Sequence, residues 1–140
     1  MLKRFYNDES GQSAVMAAYI IIFLIAVAGL VVDGSLLINK RIELEAATEA
    51  AALSTVEAVD IDKYNEDPSV VEIMQSDAEL YAAYFLGENM DIATLDSCTV
   101  NPSKPNECVI KSSAEVDLIF MKCFGIESQT IRTTVTGHVN

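Results

Sequence analysis

The side chains best suited to covalent chemistry are three thiols, Cys98, Cys108 and Cys123. Nine residues separate Cys98 from Cys108. They include Asn101-Pro102 and Lys104-Pro105-Asn106, strong breakers of regular structure that make a turn. Two cysteines flanking such a turn predict a Cys98–Cys108 disulfide, which would staple a hairpin and contribute roughly 2–3 kcal/mol by loop closure. A cytosolic location would instead leave the pair reduced. Cys123 has Phe120 and Phe124 as neighbours and reads as a buried, inert thiol. His138 is the only histidine, and it has no Ser or Cys partner close in sequence. Asp60, Asp62 and Asn65 lie together as in a calcium loop, but the required Gly and closing bidentate Glu are missing. That segment reads as a solvated connector. No Gly-rich phosphate loop, paired metal motif or nucleophile elbow occurs. The chain is therefore expected to be no enzyme, with no catalytic, metal or cofactor residues.

The elements that would carry these residues are set by one contrast in composition. Hydrophobic residues make up 51% of the chain, which is high beside 21% charged, because the apolar residues crowd to one end. Ala14 to Val32 is 19 residues without a charge, roughly 28 Å as a helix and close to the ~30 Å hydrocarbon core of a bilayer. A chain of 140 residues is too small to surround a helix that is apolar on every side. A cleaved secretory signal would have a shorter apolar region and a small-residue cleavage site, whereas Asp33 and more helical sequence follow here. The run is read as a single transmembrane helix, with the lipid bilayer as its partner. Lys3 and Arg4 precede it and Lys40 and Arg41 follow at greater distance, a near balance. The expected orientation is N-terminus inside and C-terminal domain outside. From Asp33 onward there are 19 acidic and 7 basic residues, so no nucleic-acid partner is expected.

The organisation predicted is a cytoplasmic lead over 1–13, a transmembrane helix over 14–32, its extracytoplasmic continuation over 33–59, and a small α+β domain over 60–140. The continuation is rich in Ala, Leu and Glu and free of Pro. Asp67-Pro68 reads as the start of a second, amphipathic helix with an apolar stripe at Val71, Met74, Ala78, Tyr81 and Phe85, ended by Gly87. The last third alternates with a period of two. Ile110, Ser112, Ala114, Val116 and Leu118 share one face, as do Ile131, Thr133, Val135 and Val139, and a weaker strand covers 93–100. The fold class is α+β, with an antiparallel sheet of about three strands.

The N-terminal signals also occur in a particular order. Phe5 and Asp8-Glu9-Ser10-Gly11 lead into Gln12-Ser13-Ala14-Val15. The apolar span ends at Val32-Asp33-Gly34, and Leu44-Glu45-Ala46-Ala47-Thr48-Glu49-Ala50-Ala51-Ala52-Leu53-Ser54 follows. Over about residues 5–55 this resembles the TadE/TadG-like pilus-assembly proteins of the bacterial tight-adherence (Flp pilus) system, with Gly11 and Asp33 at motif positions. The resemblance implies a pilin-like architecture and a component of a machine that builds adhesive pili. It places the chain in the bacterial cytoplasmic membrane, with its outer domain periplasmic or extracellular. Its implied partners are other pilus-assembly membrane proteins, pilin-like subunits and further copies of itself. Pseudopilin members are cut after the Gly and carry Glu five residues on. Met16 stands there in this chain, which points to the uncleaved, TadG-like branch. The family's Asp-x-Gly is altered too, since Gly34 directly follows Asp33.

Small residues let a neighbouring helix approach closely, so Ala46, Ala47, Ala50, Ala51 and Leu53 are the expected helix-assembly interface. The competing expectation is that this stretch packs against the chain's own second helix. A pilin-like filament subunit, a membrane-anchored binding domain unrelated to pili and, last, an anchored enzyme are the alternative functions.

Overall fold

The computed structural model describes residues 9–139; Lys3, Arg4, Phe5 and Asp8 of the lead lie outside the described residues. The uncharged run and the Ala/Glu-rich stretch after it form one helix, α1 (Glu9–Ser54), of 46 residues, about 69 Å long at 1.5 Å per residue. No proline interrupts it. A single 3₁₀ turn, Thr55–Ala58, closes it, so the helix expected over 14–59 is present and begins earlier. Among the described residues one helix, Gly11–Ala58, is long and apolar enough to cross a membrane. Its most apolar 18-residue window has a mean hydropathy of 2.9 and is only 6% buried inside the fold. A core helix of a soluble domain would be covered instead.

The connector at 60–67 is more ordered than the sequence suggested. Ile61–Glu66 is a short helix, α2, capped by the Asp60 carboxylate, which accepts from the Lys63 backbone N–H at 3.2 Å. Lys63 also pairs with Glu72 at 2.6 Å. The second long helix starts later than expected. Asp67 does not cap it; its carboxylate accepts from the backbone N–H and hydroxyl of Ser69 at 3.0 and 2.7 Å, making a local turn. The chain then runs extended through Ile73, bridged to Val59, before α3 (Gln75–Asn89). Val71 and Met74 therefore lie outside the helix. Its buried positions are Ala78, Ala82 and Leu86, one side at helical spacing. Gly87 lies within α3, exposed, and Met90 is the residue that ends it.

The sheet follows the alternation closely. Strands β1 (Ala93–Asn101), β2 (Lys104–Asp117) and β3 (Ser128–His138) form an antiparallel meander in the order β1-β2-β3. The fold is thus α+β. Ile110, Ser112, Ala114, Val116 and Leu118 are all buried on the inner face. That face packs against α1, and α3 fills the space between α1 and β1. Gln75 opens α3 and fastens it to β1, donating to the Cys98 carbonyl at 2.6 Å and accepting from the Val100 N–H at 2.8 Å. Thr48 reaches across from α1 to share a 2.6 Å hydrogen bond with Ser112, so the two buried hydroxyls satisfy each other.

Helix and sheet approach closely at Gly137. A Cβ there would stand 2.6 Å from the Ala52 carbonyl oxygen, a backbone atom that cannot step aside. Gly137→Ala should destabilise the full chain in detergent by about 1–3 kcal/mol in urea unfolding. Gly87, inside α3, has nothing within 4 Å of its added Cβ, and Gly87→Ala should stabilise by about 0.5–1 kcal/mol. Equal stability of Gly137→Ala and the parent would mean that the close approach is not held in solution.

Candidate functional site

Two regions of α1 concentrate the unusual features. The first is Asp33, the only charge between the apolar run and Lys40. It projects from the middle of a helix, yet its side chain is 2% exposed. A carboxylate removed from water needs donors, and the turn between β2 and β3 supplies three. The Ile119 N–H donates to Oδ1 at 2.9 Å, and the Phe120 and Met121 N–H groups donate to Oδ2 at 2.9 and 2.7 Å. Lost hydration favours the neutral acid, but the three backbone donors outweigh it and hold the Asp33 carboxyl below the usual carboxylate range. One turn earlier on the same side lies Gly29, against which Phe120 packs; a Cβ there would meet the ring at 2.7 Å. The sequence singled out Asp33 only as a motif position. The signal for its role was available, since a lone carboxylate at the end of an uncharged run must find donors somewhere.

The expected assembly interface divides between two sides of α1. Ala47 and Ala51 are buried and belong to the core with Leu44, Ile110 and Leu86. Ala50 is half-buried, whereas Ala46 and Leu53 are exposed. The exposed pair shares a side with Ile38 and Ile42, at helical spacing. Leu53, Ile38 and Ile42 are each more than three-fifths exposed, at 72, 62 and 61%. Glu45 and Glu49 lie on the same side, also exposed. Sequence reasoning named Ala46 and Leu53 but missed Ile38 and Ile42. Gly11 is exposed on the early part of α1.

Cys98 and Cys108 are brought together as expected, on adjacent strands and both buried. They are diagonal rather than directly opposed: Cys98 faces Ile110, and Cys108 faces Val100. The structure carries them as two free thiols with sulfurs 3.1 Å apart, in place of the expected bond. The hydrogen bond to Cys108 and then burial push the Cys98 thiol up, while the same bond holds Cys108 lower. Cys123 corrects the sequence reading. It is exposed, because its turn extends along α1 instead of folding into the sheet's core. His138 is exposed on β3. Among the described residues no group of three or more His, Cys, Asp and Glu is placed to hold a metal ion.

Residues 11–58 match the TadE/G-like Flp pilus-assembly family. The match spans α1 and its closing turn, ends before the sheet, and does not separate TadE-like from TadG-like members. No curated protein and no solved structure matches the chain.

Asp33→Asn tests the three-donor contact. The amide would present an NH₂ where an oxygen now accepts, opposing at least one backbone donor. Exchange of the Ile119, Phe120 and Met121 amides should quicken roughly tenfold or more, with β2 amides unchanged. Because the folded-state pKa is depressed, the wild-type contact is complete at neutral pH and is lost only as pH falls below the ordinary carboxylate range. Unchanged exchange in Asp33→Asn would remove Asp33 from its anchoring role.

Proposed function

We propose that this chain, with its TadE/G-like segment over 11–58, is a membrane-anchored, non-catalytic component of Flp-type pilus assembly, acting through the exposed side of its long helix. The family match supports a role in Flp pilus assembly. The uncharged run of α1 supports the anchoring: it is one helix of spanning length whose most apolar window is only 6% buried inside the fold. In this reading α1 crosses the bacterial cytoplasmic membrane once, the N-terminus lies inside, and residues 33–140 stand outside. Met16, at the place of the pseudopilin Glu, supports the TadG-like side of the family.

One observation carries the mode of action. Ile38, Ile42, Ala46 and Leu53 form an exposed apolar stripe on the part of α1 beyond the span. A stem helix whose other side already serves the core has no intramolecular use for such residues. A second helix, from another assembly protein, a pilin-like subunit or a further copy, would cover it. Glu45 and Glu49 beside the stripe would favour a basic rim on that partner. Ala47 and Ala51 serve the chain's own core, so enlarging them tests folding and not assembly.

The stripe makes a direct prediction. Ile42→Asp and Leu53→Asp should each abolish co-purification with pilus-assembly proteins and pilus display, while circular dichroism and urea unfolding stay like those of the parent. Normal assembly by both variants would place the interface elsewhere.

The same reading puts Cys98 and Cys108 in an oxidising compartment. There a protein disulfide of the envelope would take two electrons and both thiol protons, becoming a dithiol as Sγ–Sγ forms. Mass mapping of unreduced peptides from envelope-extracted protein should find Cys98 joined to Cys108. Both thiols free, or either joined to Cys123, would rule the pairing out.

A further inference from the structure

The turn that follows β2 leaves the sheet and runs beside the apolar part of α1. Phe120 sits on Gly29, and Phe124 lines an open hollow with Ile22, Ile25 and Leu30. Ile22 lies eleven residues before Asp33, roughly 16 Å further down the helix axis. We propose that residues 119–126 are a second membrane contact, a turn that enters the outer leaflet beside α1 and is covered by lipid acyl chains. This rests on the reading of α1 as a transmembrane helix.

Three independent features point to lipid. The first is apolar exposure. Phe124 is 71% and Ile119 58% exposed, with Phe120 and Ile126 also open, and their surface is continuous with the uncovered side chains of α1. The second is backbone pairing, which provides an acceptor for six of the eight N–H groups of 119–126. A turn in water needs no internal partners for its N–H groups, but one in hydrocarbon does. Here Ile119, Phe120 and Met121 donate to Asp33. Cys123 donates to the Phe120 carbonyl, Gly125 to Lys122 and Ile126 to Met121, each at 3.1 Å. Gly125 makes this closure possible, at a φ of 85° that a side chain would resist. The third is the single charge. Lys122 turns its ammonium back toward Asp117 at the end of β2, 4.0 Å away. A lysine whose stem lies in lipid reaches for the interface in this way.

The shape of the hollow favours lipid over a helix. Close helix packing in a membrane uses small residues, whereas this open lining is mostly large, with Ile22, Ile25, Leu30, Phe120 and Phe124 around the smaller Ala26 and Cys123. Acyl chains conform to such a surface.

Cys123 provides the probe, since it is the exposed thiol of the turn while Cys98 and Cys108 are buried. The full chain is reconstituted in phosphatidylcholine vesicles and labelled at Cys123 with an environment-sensitive, thiol-reactive fluorophore. Lipid spin-labelled near the glycerol end of its chains and aqueous iodide serve as quenchers. Tyr19→Cys and Ser103→Cys, each combined with Cys123→Ser, mark the span and the water-facing turn. The expected result is blue-shifted emission at Cys123, quenched by the spin-labelled lipid and not by iodide, while the Ser103→Cys label shows the reverse. Iodide quenching at Cys123 with lipid quenching at Tyr19→Cys would overturn the inference and leave the spanning reading intact. Protection of Cys123 from both quenchers would overturn it in favour of coverage by protein. Lipid quenching at neither Cys123 nor Tyr19→Cys would sink the spanning reading and the inference with it.

Discussion

The seat of the β2–β3 turn on its helix depends on one carboxylate. Asp33 interrupts the apolar side of α1, and its cost of burial is met by three backbone donors from a single turn. Those donors belong to consecutive residues, so they converge only if that turn lies directly against the helix. Together with the Thr48–Ser112 hydrogen bond further along, this fixes both the height and the rotation of the sheet on the stem. The same side then repeats along the axis: Gly29 below, Leu44, Ala47 and Ala51 above, all buried. A small or absent side chain at 29, 47 and 51 lets the turn and the inner sheet face come close. The acceptor at 33 makes that approach specific as well as tight. Hydrophobic contacts alone would allow the sheet to slide along a helix rich in Ala and Leu.

The helix shows little amphipathic contrast over its length while having two distinct sides. In the uncharged run every side is apolar, so periodicity carries no information there. Beyond it, the core side uses small residues and the outer side mixes Ile38, Ile42 and Leu53 with glutamates. Both sides therefore contain apolar residues, and they differ in size and exposure more than in polarity. Burial separates them where hydropathy cannot.

That difficulty marks the limit of what the sequence made legible. The continuous helix was readable because nothing between Ser10 and Ser54 breaks it, and the strands because alternation at 110–118 and 131–139 is strict. The start of α3 was misread because Asp67-Pro68 satisfies the rules for a helix start, while Asp67 spends its carboxylate on Ser69 and the chain stays extended to bridge Val59. Gly87 was misread because an exposed glycine in a helix costs only about 1 kcal/mol, too little to end α3 while Met90 still packs. At the candidate site, the small-residue stretch was found but its sides were not. Ala47 and Ala51 face inward because the sheet is pinned by Asp33, a contact with residues more than 80 positions away. Cys123 reads as a core thiol because Phe120 and Phe124 look like core residues; Phe120 instead packs on Gly29 of α1, and Phe124 stays largely exposed beside the apolar run.

The pinned geometry decides which functions the stem can perform at once. The β2–β3 turn lies on the Gly29–Asp33 side of α1, and Ile38 and Ile42 lie on the opposite side, while Leu53 at the far end of the stripe borders a hollow beside Val135–His138 of β3. A partner helix approaching that stripe would therefore stay clear of the proposed lipid-facing turn, and at Leu53 it would lie beside the edge strand β3. Because α1 is a single helix without proline, the stripe's rotation about the axis is inherited from the uncharged run. If the turn rests in the outer leaflet, it adds a second point of contact off the helix axis. Two contacts restrict tilt and rotation where one permits both. The stripe would then be presented at a defined height and azimuth above the bilayer, which lowers the orientational entropy lost when a partner docks. Asp33 couples these parts: it closes the backbone of the turn, sets the sheet against one side of the stem, and by doing so leaves the other side open.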